Sequence, residues 1–395
     1  MSLQRPTLEL SMIVKDGGAA LGRCLSSAAA VVDRMVVGDT GSSDSSVKVA
    51  RGFGAEVVAI PWEHDFARAR NRVLARAECD WILVMDADEM LGSDAPERIP
   101  ELIAREDIFA YDVWRWNYLR ASQSRSAEQA PMPNPVAVEA ARPYPAYALS
   151  LNTRLFRRHP EIYFEHCVHE TVSGRVSALG LARAEASFVI HHFGQAEDAP
   201  AVRAAKNETY QQLGLRKLAA EPENHRAWFE FGLGELEHCH RPSTALTCFE
   251  RACALEPGDA SAWLFAGICL VRAGRLKEAI DRLARAHRLG LRTPVLFEAL
   301  GDAYFHGQRY SLAGECYLEA IAAGGISALN RAKLGACEVC QGKTEGGLRR
   351  IEEAIAANGE FAELREILAA AIAVSRQLQS VGQGSAAGAE SATPK

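Results

Sequence analysis

No stretch of this chain approaches 18 uninterrupted apolar residues, so hydropathy excludes a transmembrane helix. The first residues, Met1 to Val14, hold one early arginine and no long apolar core, a pattern that argues against a cleaved signal peptide. Net charge is only −6, and a mildly acidic balance argues against a general nucleic-acid binder. Paired cysteine motifs are scarce: among ten scattered cysteines Cys337 and Cys340 form the one CxxC, with no second pair at zinc-finger spacing. The expected state is free thiols in a reducing cytoplasm, mostly as small buried helix residues. What is present is an ordinary composition, 48% apolar and 24% charged over 395 residues, enough for two or three cores.

The C-terminal half is periodic. Ala245, Ala279, Ala313 and Gly347 stand 34 residues apart, as do Phe249, Leu283, Tyr317 and Ile351, and Ala252, Ala286, Ala320 and Ala354. Gly232, Gly267, Gly301 and Gly335 mark an upstream position, each preceded four residues earlier by Trp228, Trp263, Phe297 or Arg331. The one 35-residue step, Gly232 to Gly267, places its extra residue near Pro242, in the turn between paired helices. This resembles the tetratricopeptide pattern, in which each unit makes two antiparallel helices that bury their apolar faces only against neighbours. Four repeats are expected over about 226–362, then a closing helix near 361–377. Such arrays offer a surface to a peptide or protein; the plainer alternative is that this one dimerises or buttresses the first domain.

In the N-terminal half, strands are expected at Leu8–Val14, Met35–Gly38, Glu56–Ile60 and Trp81–Met85, separated by helices at Ala20–Val32, 44–53 and 65–77. Alternation of this kind implies a mostly parallel sheet with right-handed crossovers and a ligand beyond the carboxyl ends of the strands. Lys15, Asp16, Asp39, Asp86 and Asp88 converge on that edge. Asp39 ends a strand, where a carboxylate can accept hydrogen bonds from a base or ribose; Asp44 suits a helix N-cap. The buried run Trp81–Met85 leads into Asp86-Ala87-Asp88-Glu89, and acids so crowded require a compensating cation. The usual one is hard and divalent, Mn²⁺ or Mg²⁺, which in turn binds diphosphate.

Together Ser11–Asp16, Val37–Asp44, Trp62–Asn71 and Trp81–Glu89 resemble a family 2 glycosyltransferase with a GT-A fold. The similar subgroup carries a C-terminal tetratricopeptide array and includes bacteriocin peptide S-glycosyltransferases, with lipopolysaccharide-core glucosyltransferases on a related branch. The resemblance covers residues 8–362 and implies a bacterial enzyme with a nucleotide-sugar donor, a UDP-sugar. It sets Asp39 near uracil or ribose, Asp86 and Asp88 at the metal diphosphate, and Arg70 and Asn71 within reach of the donor, with Asp65 capping their helix. A late histidine completes the metal in many such sites, which makes His191 and His192 candidates. Neighbours on a strand point to opposite faces, so one of the two faces the site. Arg154 is a candidate to assist the leaving group, and His169 and Glu170 are the candidate bases. Two departures are visible: Asp16 leads into Gly17-Gly18, and the QxxRW motif of processive members is absent, which together with the lack of spans disfavours polysaccharide export.

The expected architecture is an α/β GT-A, Rossmann-like nucleotide-sugar domain over 1–198, with a flexible insertion at 118–148 that would act as an acceptor lid. A linking helix or half-repeat follows over 199–225, then an all-α tetratricopeptide solenoid over 226–378 and a disordered tail over 379–395. The expected function is metal-dependent, inverting sugar transfer to a peptide, protein or glycan acceptor, which the array binds or which leaves the array to form a homodimer. Two alternatives are a non-catalytic tetratricopeptide adaptor with a degenerate domain and a nucleotidyltransferase. Lys15-Asp16-Gly17-Gly18 is a poor match to the Gly-rich basic loop of the latter.

Overall fold

The computed structural model describes residues 5–120, 132–197, 200–237, 239–324, 327–357 and 362–389, in two compact units that divide between Ala220 and Glu221. In the first, β1 (Leu8–Val14), α1 (Gly18–Ala28), β2 (Arg34–Asp39), α2 (Ser46–Gly52), β3 (Glu56–Ala59), α3 (Phe66–Leu74) and β4 (Trp81–Val84) alternate as the hydrophobic pattern predicts. They are followed by β5 (Glu89–Leu91), α4 (Ala95–Ile103), β6 (Ala110–Leu119), β7 (Met132–Pro133), β8 (Ala146–Arg157), α5 (Ser173–Ala178), β9 (Arg183–His192), α6 (Gly194–Glu197) and α7 (Pro200–Ala220).

The strands form one sheet in the order β3-β2-β1-β4-β8-β6-β9-β5, with β7 on β8. Only β3, β2, β1 and β4 make the expected parallel block. Strand β8 pairs antiparallel with both β4 and β6, and β5 pairs antiparallel with β9, so the sheet is mixed rather than mostly parallel. No α-helix separates β6 from β8 among the described residues, and strands without a crossover helix return antiparallel. The alternation along β4 feeds two cores. Trp81 and Leu83 join Leu8, Leu10 and Met12 on one face, while Ile82 and Val84 join Phe156, Phe164 and Val172 on the other. This pins the carboxyl end of β4, and with it the acids that follow.

The expected lid over 118–148 is cut back. Tyr118 and Tyr147 are buried with Ala141 and Phe193, and 132–148 contains β7 and a 3₁₀ turn at Glu139–Ala141. Residues 121–131 of that stretch lie outside the described residues. The helix expected as a link, α7, groups with the first unit.

The second unit pairs α8 (His225–Glu237) with α9 (Pro242–Leu255), α10 (Ala260–Arg272) with α11 (Leu276–Arg288), α12 (Pro294–His306) with α13 (Tyr310–Ala322), and α14 (Ser327–Cys340) with α15 (Thr344–Ala357), before α16 (Ala362–Ala389). The odd residue of the first spacing falls in the α8–α9 turn. Repeat glycines allow the pairs to close: a Cβ on Gly267 would lie 2.6 Å from Leu283, and one on Gly301 2.5 Å from Tyr317. Helix α16 extends through residues 379–389, where a disordered tail is expected; 390–395 lie outside the described residues. All ten cysteines are free, and no described helix is long and apolar enough to cross a membrane.

Candidate active site

The loops after β1 and β2 are tied together by side chains. Asp16, at φ 52°, accepts from the Ser43 amide at 2.7 Å, the Ser43 hydroxyl at 3.1 Å and the Asp44 amide at 3.2 Å, all on Oδ1. Its own amide donates to Ser42 Oγ at 2.9 Å. The hydrogen bond from the Ser43 amide, working against desolvation, sets its carboxyl below the ordinary value. Asp16 thus latches two loops. Asp44 accepts from the Ser46 amide at 2.9 Å and the Gly18 amide at 2.9 Å, so it braces the start of α2, whose N-cap position is Ser45. Asp39 is half-buried at the end of β2 and accepts from the Ser42 amide at 3.1 Å, while Lys15 stands exposed.

The acids after β4 divide into two groups. Asp86 faces Arg70 Nη2 at 2.5 Å and Arg154 Nη2 at 3.1 Å, with Arg115 Nη1 at 3.8 Å. Glu89 is fully buried; it accepts from Arg154 at 3.1 Å and Arg115 at 3.3 Å and from the Asp86 amide at 2.8 Å. Burial alone would raise the Asp86 carboxyl, but the charges of Arg154, Arg70 and Arg115 outweigh it and hold the group well below the usual carboxylate range. The compensating cation expected for Asp86 is therefore guanidinium, supplied by α3, β6 and β8. Each of its carboxylate oxygens faces a guanidinium, Oδ1 that of Arg70 and Oδ2 that of Arg154.

Asp88 stands apart from those arginines. Its Oδ1 lies 3.5 Å from His192 Nε2. On the far side of that ring, Nδ1 meets Asn117 Oδ1 at 2.8 Å. Asn117 donates through Nδ2 to the Ala148 carbonyl at 3.1 Å and Ser150 Oγ at 3.0 Å, so its oxygen accepts and the imidazole carries its hydrogen on Nδ1. A protonated His192 pairs with Asp88; a neutral one aims a lone pair at the same space. His192, together with Lys206, holds Asp88 below its ordinary value against the opposing effect of burial. A side chain at Gly194 would collide with Asp88 Oδ2, so the space beside the carboxylate depends on that glycine.

The chemistry of this pair fits a divalent ion, and Asn117 Oδ1 already orients the imidazole from its other nitrogen. Among the described residues no three His, Cys, Asp or Glu side chains converge on one point, so an ion here would take at most Asp88 and His192 from the protein. Such a set suits an ion completed by diphosphate oxygens and water. His191 is not part of it. Its ring is 1% exposed, its Nδ1 meets the Tyr118 hydroxyl at 2.9 Å, and it lies against Trp116 and Tyr118. Burial depresses it to about 4, so it is a neutral core residue.

The remaining candidates lie on a loop closed by the Glu165–Thr171 bridge, with positive φ at His166 and His169. Glu170 accepts from Arg70 Nε at 2.7 Å, so one guanidinium joins it to Asp86. His169 is exposed and lies against Tyr210 of α7, which also stacks on Phe66. Asn71 is turned to the backbone of Phe164: its Nδ2 donates to the Phe164 carbonyl at 2.9 Å and its Oδ1 accepts the Phe164 amide at 2.7 Å. Both ends of its amide are consumed in holding the strand of chain that leads to Glu170. Asp65 caps α3 as expected, accepting from the Arg68 amide at 2.8 Å.

Sequence reasoning missed Arg115, Asn117, Lys206 and Tyr210. Alternation in Trp114-Arg115-Trp116-Asn117 puts the two polar residues on one face of β6, and Lys206 and Tyr210 are one helical turn apart. Those two spacings were the available signals.

Residues 11–161 match the Glycosyl transferase family 2, and residues 240–293 match the tetratricopeptide repeat. A TPR repeat-containing protein of Synechococcus elongatus is 32% identical over 225 residues, covering 55% of this chain and 49% of that protein. The SPbeta prophage-derived glycosyltransferase SunS of Bacillus subtilis is 24% identical over 231 residues, covering 58% and 49%. An uncharacterized glycosyltransferase of Rickettsia felis is 33% identical over 107 residues, covering 26% and 37%. The chain spans about half the length of the first two of these relatives. Its first unit, with a parallel strand block, acids at the end of β4 and a histidine at the end of β9, carries the match to Glycosyl transferase family 2, and the helical array of the second carries the match to the tetratricopeptide repeat.

Proposed function

We propose that this chain is an inverting glycosyltransferase that moves a sugar from a UDP-sugar to a peptide, protein or glycan acceptor. The observation that carries the reading is the division of the acids after β4: three arginines neutralise Asp86 and Glu89, while Asp88 faces His192 at 3.5 Å. Mn²⁺ or Mg²⁺ held by Asp88 and His192 would neutralise charge on the departing diphosphate. Asp39, at the nucleoside end of the sheet edge, accepts a hydrogen bond from uracil or ribose, and Lys15 lies beside it. Arg70 and Arg154 keep Asp86 ionised and fixed, so the floor under the diphosphate does not rearrange during the reaction.

Of the two base candidates Glu170 is the better placed, because Arg70 ties it to Asp86 at the reacting edge, whereas His169 is exposed and lies against Tyr210. Glu170 removes the proton from the acceptor as the acceptor atom bonds to the anomeric carbon. The bond from that carbon to the diphosphate oxygen breaks, and its electron pair leaves on the nucleotide. A thiol acceptor, with a pKa of about 8.5, asks less of this base than a sugar hydroxyl does. The helical array suits a peptide or protein acceptor.

Titration calorimetry with a panel of nucleotide sugars, with and without Mn²⁺, tests the reading. A UDP-sugar should bind more tightly with the ion, and Asp88→Ala should lose that increment while circular dichroism shows an intact fold. Wild-type protein that binds no nucleotide sugar under either condition refutes the proposal.

A further inference from the structure

Helix α7 lies outside the residues matched to the glycosyltransferase family, yet it brings a side chain to the reacting edge. The Tyr210 ring stacks on Phe66, with centroids 5.6 Å apart and planes at 24°, and on His169 at 6.3 Å and 18°. Two ring neighbours fix its plane and leave the hydroxyl little freedom of direction. His169 precedes Glu170, so this stack sets Tyr210 beside the loop that carries the candidate base, and the charges of Glu170, Asp86 and Asp88 act on its phenol. The residue is 43% exposed, and desolvation, with the three carboxylates, raises its phenol above the ordinary value. The hydroxyl makes no hydrogen bond among the described residues. One turn earlier, on the same face of α7, stands Lys206, whose charge helps to lower Asp88.

The atom transferred in the proposed reaction lies between the base and the diphosphate. A side chain beside the loop of Glu170, whose carboxylate Arg70 joins to Asp86, is placed to meet the donor's sugar rather than its nucleoside. We propose that the Tyr210 hydroxyl hydrogen-bonds the sugar of the nucleotide donor and selects among UDP-sugars, an inference that rests on the glycosyltransferase reading above. A site built to hydrogen-bond a substrate hydroxyl rejects a sugar that does not present one there, because the protein group is then left unpaired. Tyr210 is a specificity residue in this role, and the proton transfer remains with Glu170.

The test is Tyr210→Phe, which retains both ring stacks and removes one oxygen. Calorimetry in Mn²⁺ compares UDP, UDP-glucose, UDP-galactose and UDP-N-acetylglucosamine. The variant should bind UDP within about twofold of wild type, bind the preferred UDP-sugar about five- to tenfold more weakly, and show a narrower spread among the three sugars. An unchanged sugar preference overturns the proposal, and so does an equal loss for UDP and UDP-sugar, which marks a structural role. Wild-type protein that binds UDP no less tightly than any of the sugars overturns it too. Wild-type protein that fails to bind UDP at all overturns the glycosyltransferase reading itself, which separates the two failures.

Discussion

Arg70 offers the sharpest test of how the acids are held. It is 6% exposed and bridges Asp86 and Glu170 at 2.5 and 2.7 Å. Arg70→Met preserves the apolar stem and removes the charge. Breaking a buried ion pair by deleting one partner typically costs about 3–5 kcal/mol. Asp86 keeps Arg154 at 3.1 Å, so the lower end applies, and we expect a loss of about 3 kcal/mol at neutral pH. The sign with pH follows from linkage. Asp86 is held below its unfolded value, so its contribution is complete above the unfolded pKa, about 4, and disappears as pH falls through the folded value. The gap between wild type and variant should therefore be widest near neutrality and close in the acid range. Urea denaturation from pH 7 to pH 1.5, through the range below about 4 where Asp86 takes up its proton, measures it, with tryptophan fluorescence as signal; Trp62, Trp81, Trp114 and Trp116, four of the six tryptophans, lie in the first unit. A gap that stays constant across that range refutes the electrostatic account. The guanidinium would then act through packing alone, including its position over the Phe164 ring at 5.6 Å.

Two further outcomes separate neighbouring roles. His191→Phe should leave Mn²⁺-dependent UDP binding within about twofold of wild type, since His191 lies in the aromatic core. It should also remove a loss of stability that wild type shows as pH falls from about 6.5 to about 4, the window in which the unfolded chain binds a proton that the buried ring refuses. Loss of ion-dependent binding in this variant would return His191 to the metal site. Gly267→Val should destabilise the helical array by about 1–3 kcal/mol, because the new Cβ meets Leu283 at 2.6 Å. An unchanged thermal transition would show that α10 and α11 are not in close contact there.

Local chemistry was legible in the sequence, and partnership across the sheet was not. The parallel block follows from apolar runs such as Leu8–Val14 and Trp81–Val84, and the array from a 34-residue step that tertiary context does not disturb. The crowding of Asp86, Asp88 and Glu89 was equally plain, as was the need for a cation. Which cation serves which acid depends on Arg115 and Arg154, which lie 26 to 68 residues from their partners in sequence and reach them through β6 and β8. Asn71 reads as a donor contact until the Phe164 backbone, 93 residues away, is seen to occupy both its polar ends. Alternation left one of His191 and His192 for the site. The choice follows from register, which sets His192 opposite Asn117 and His191 opposite Trp116 on β6.

The repeat glycines carry a consequence for how the array can be rearranged. At equivalent positions Gly232 meets Phe249, Gly267 meets Leu283, Gly301 meets Tyr317, and Gly335 meets the backbone of Gly347. The vacancy is the same each time while the group filling it differs, from a benzyl ring to bare main chain. The distance between paired helices is therefore matched within each repeat. Helices from different repeats are not exchangeable modules despite their common period, and a chimera that recombines them inherits a clash or a void at its central contact.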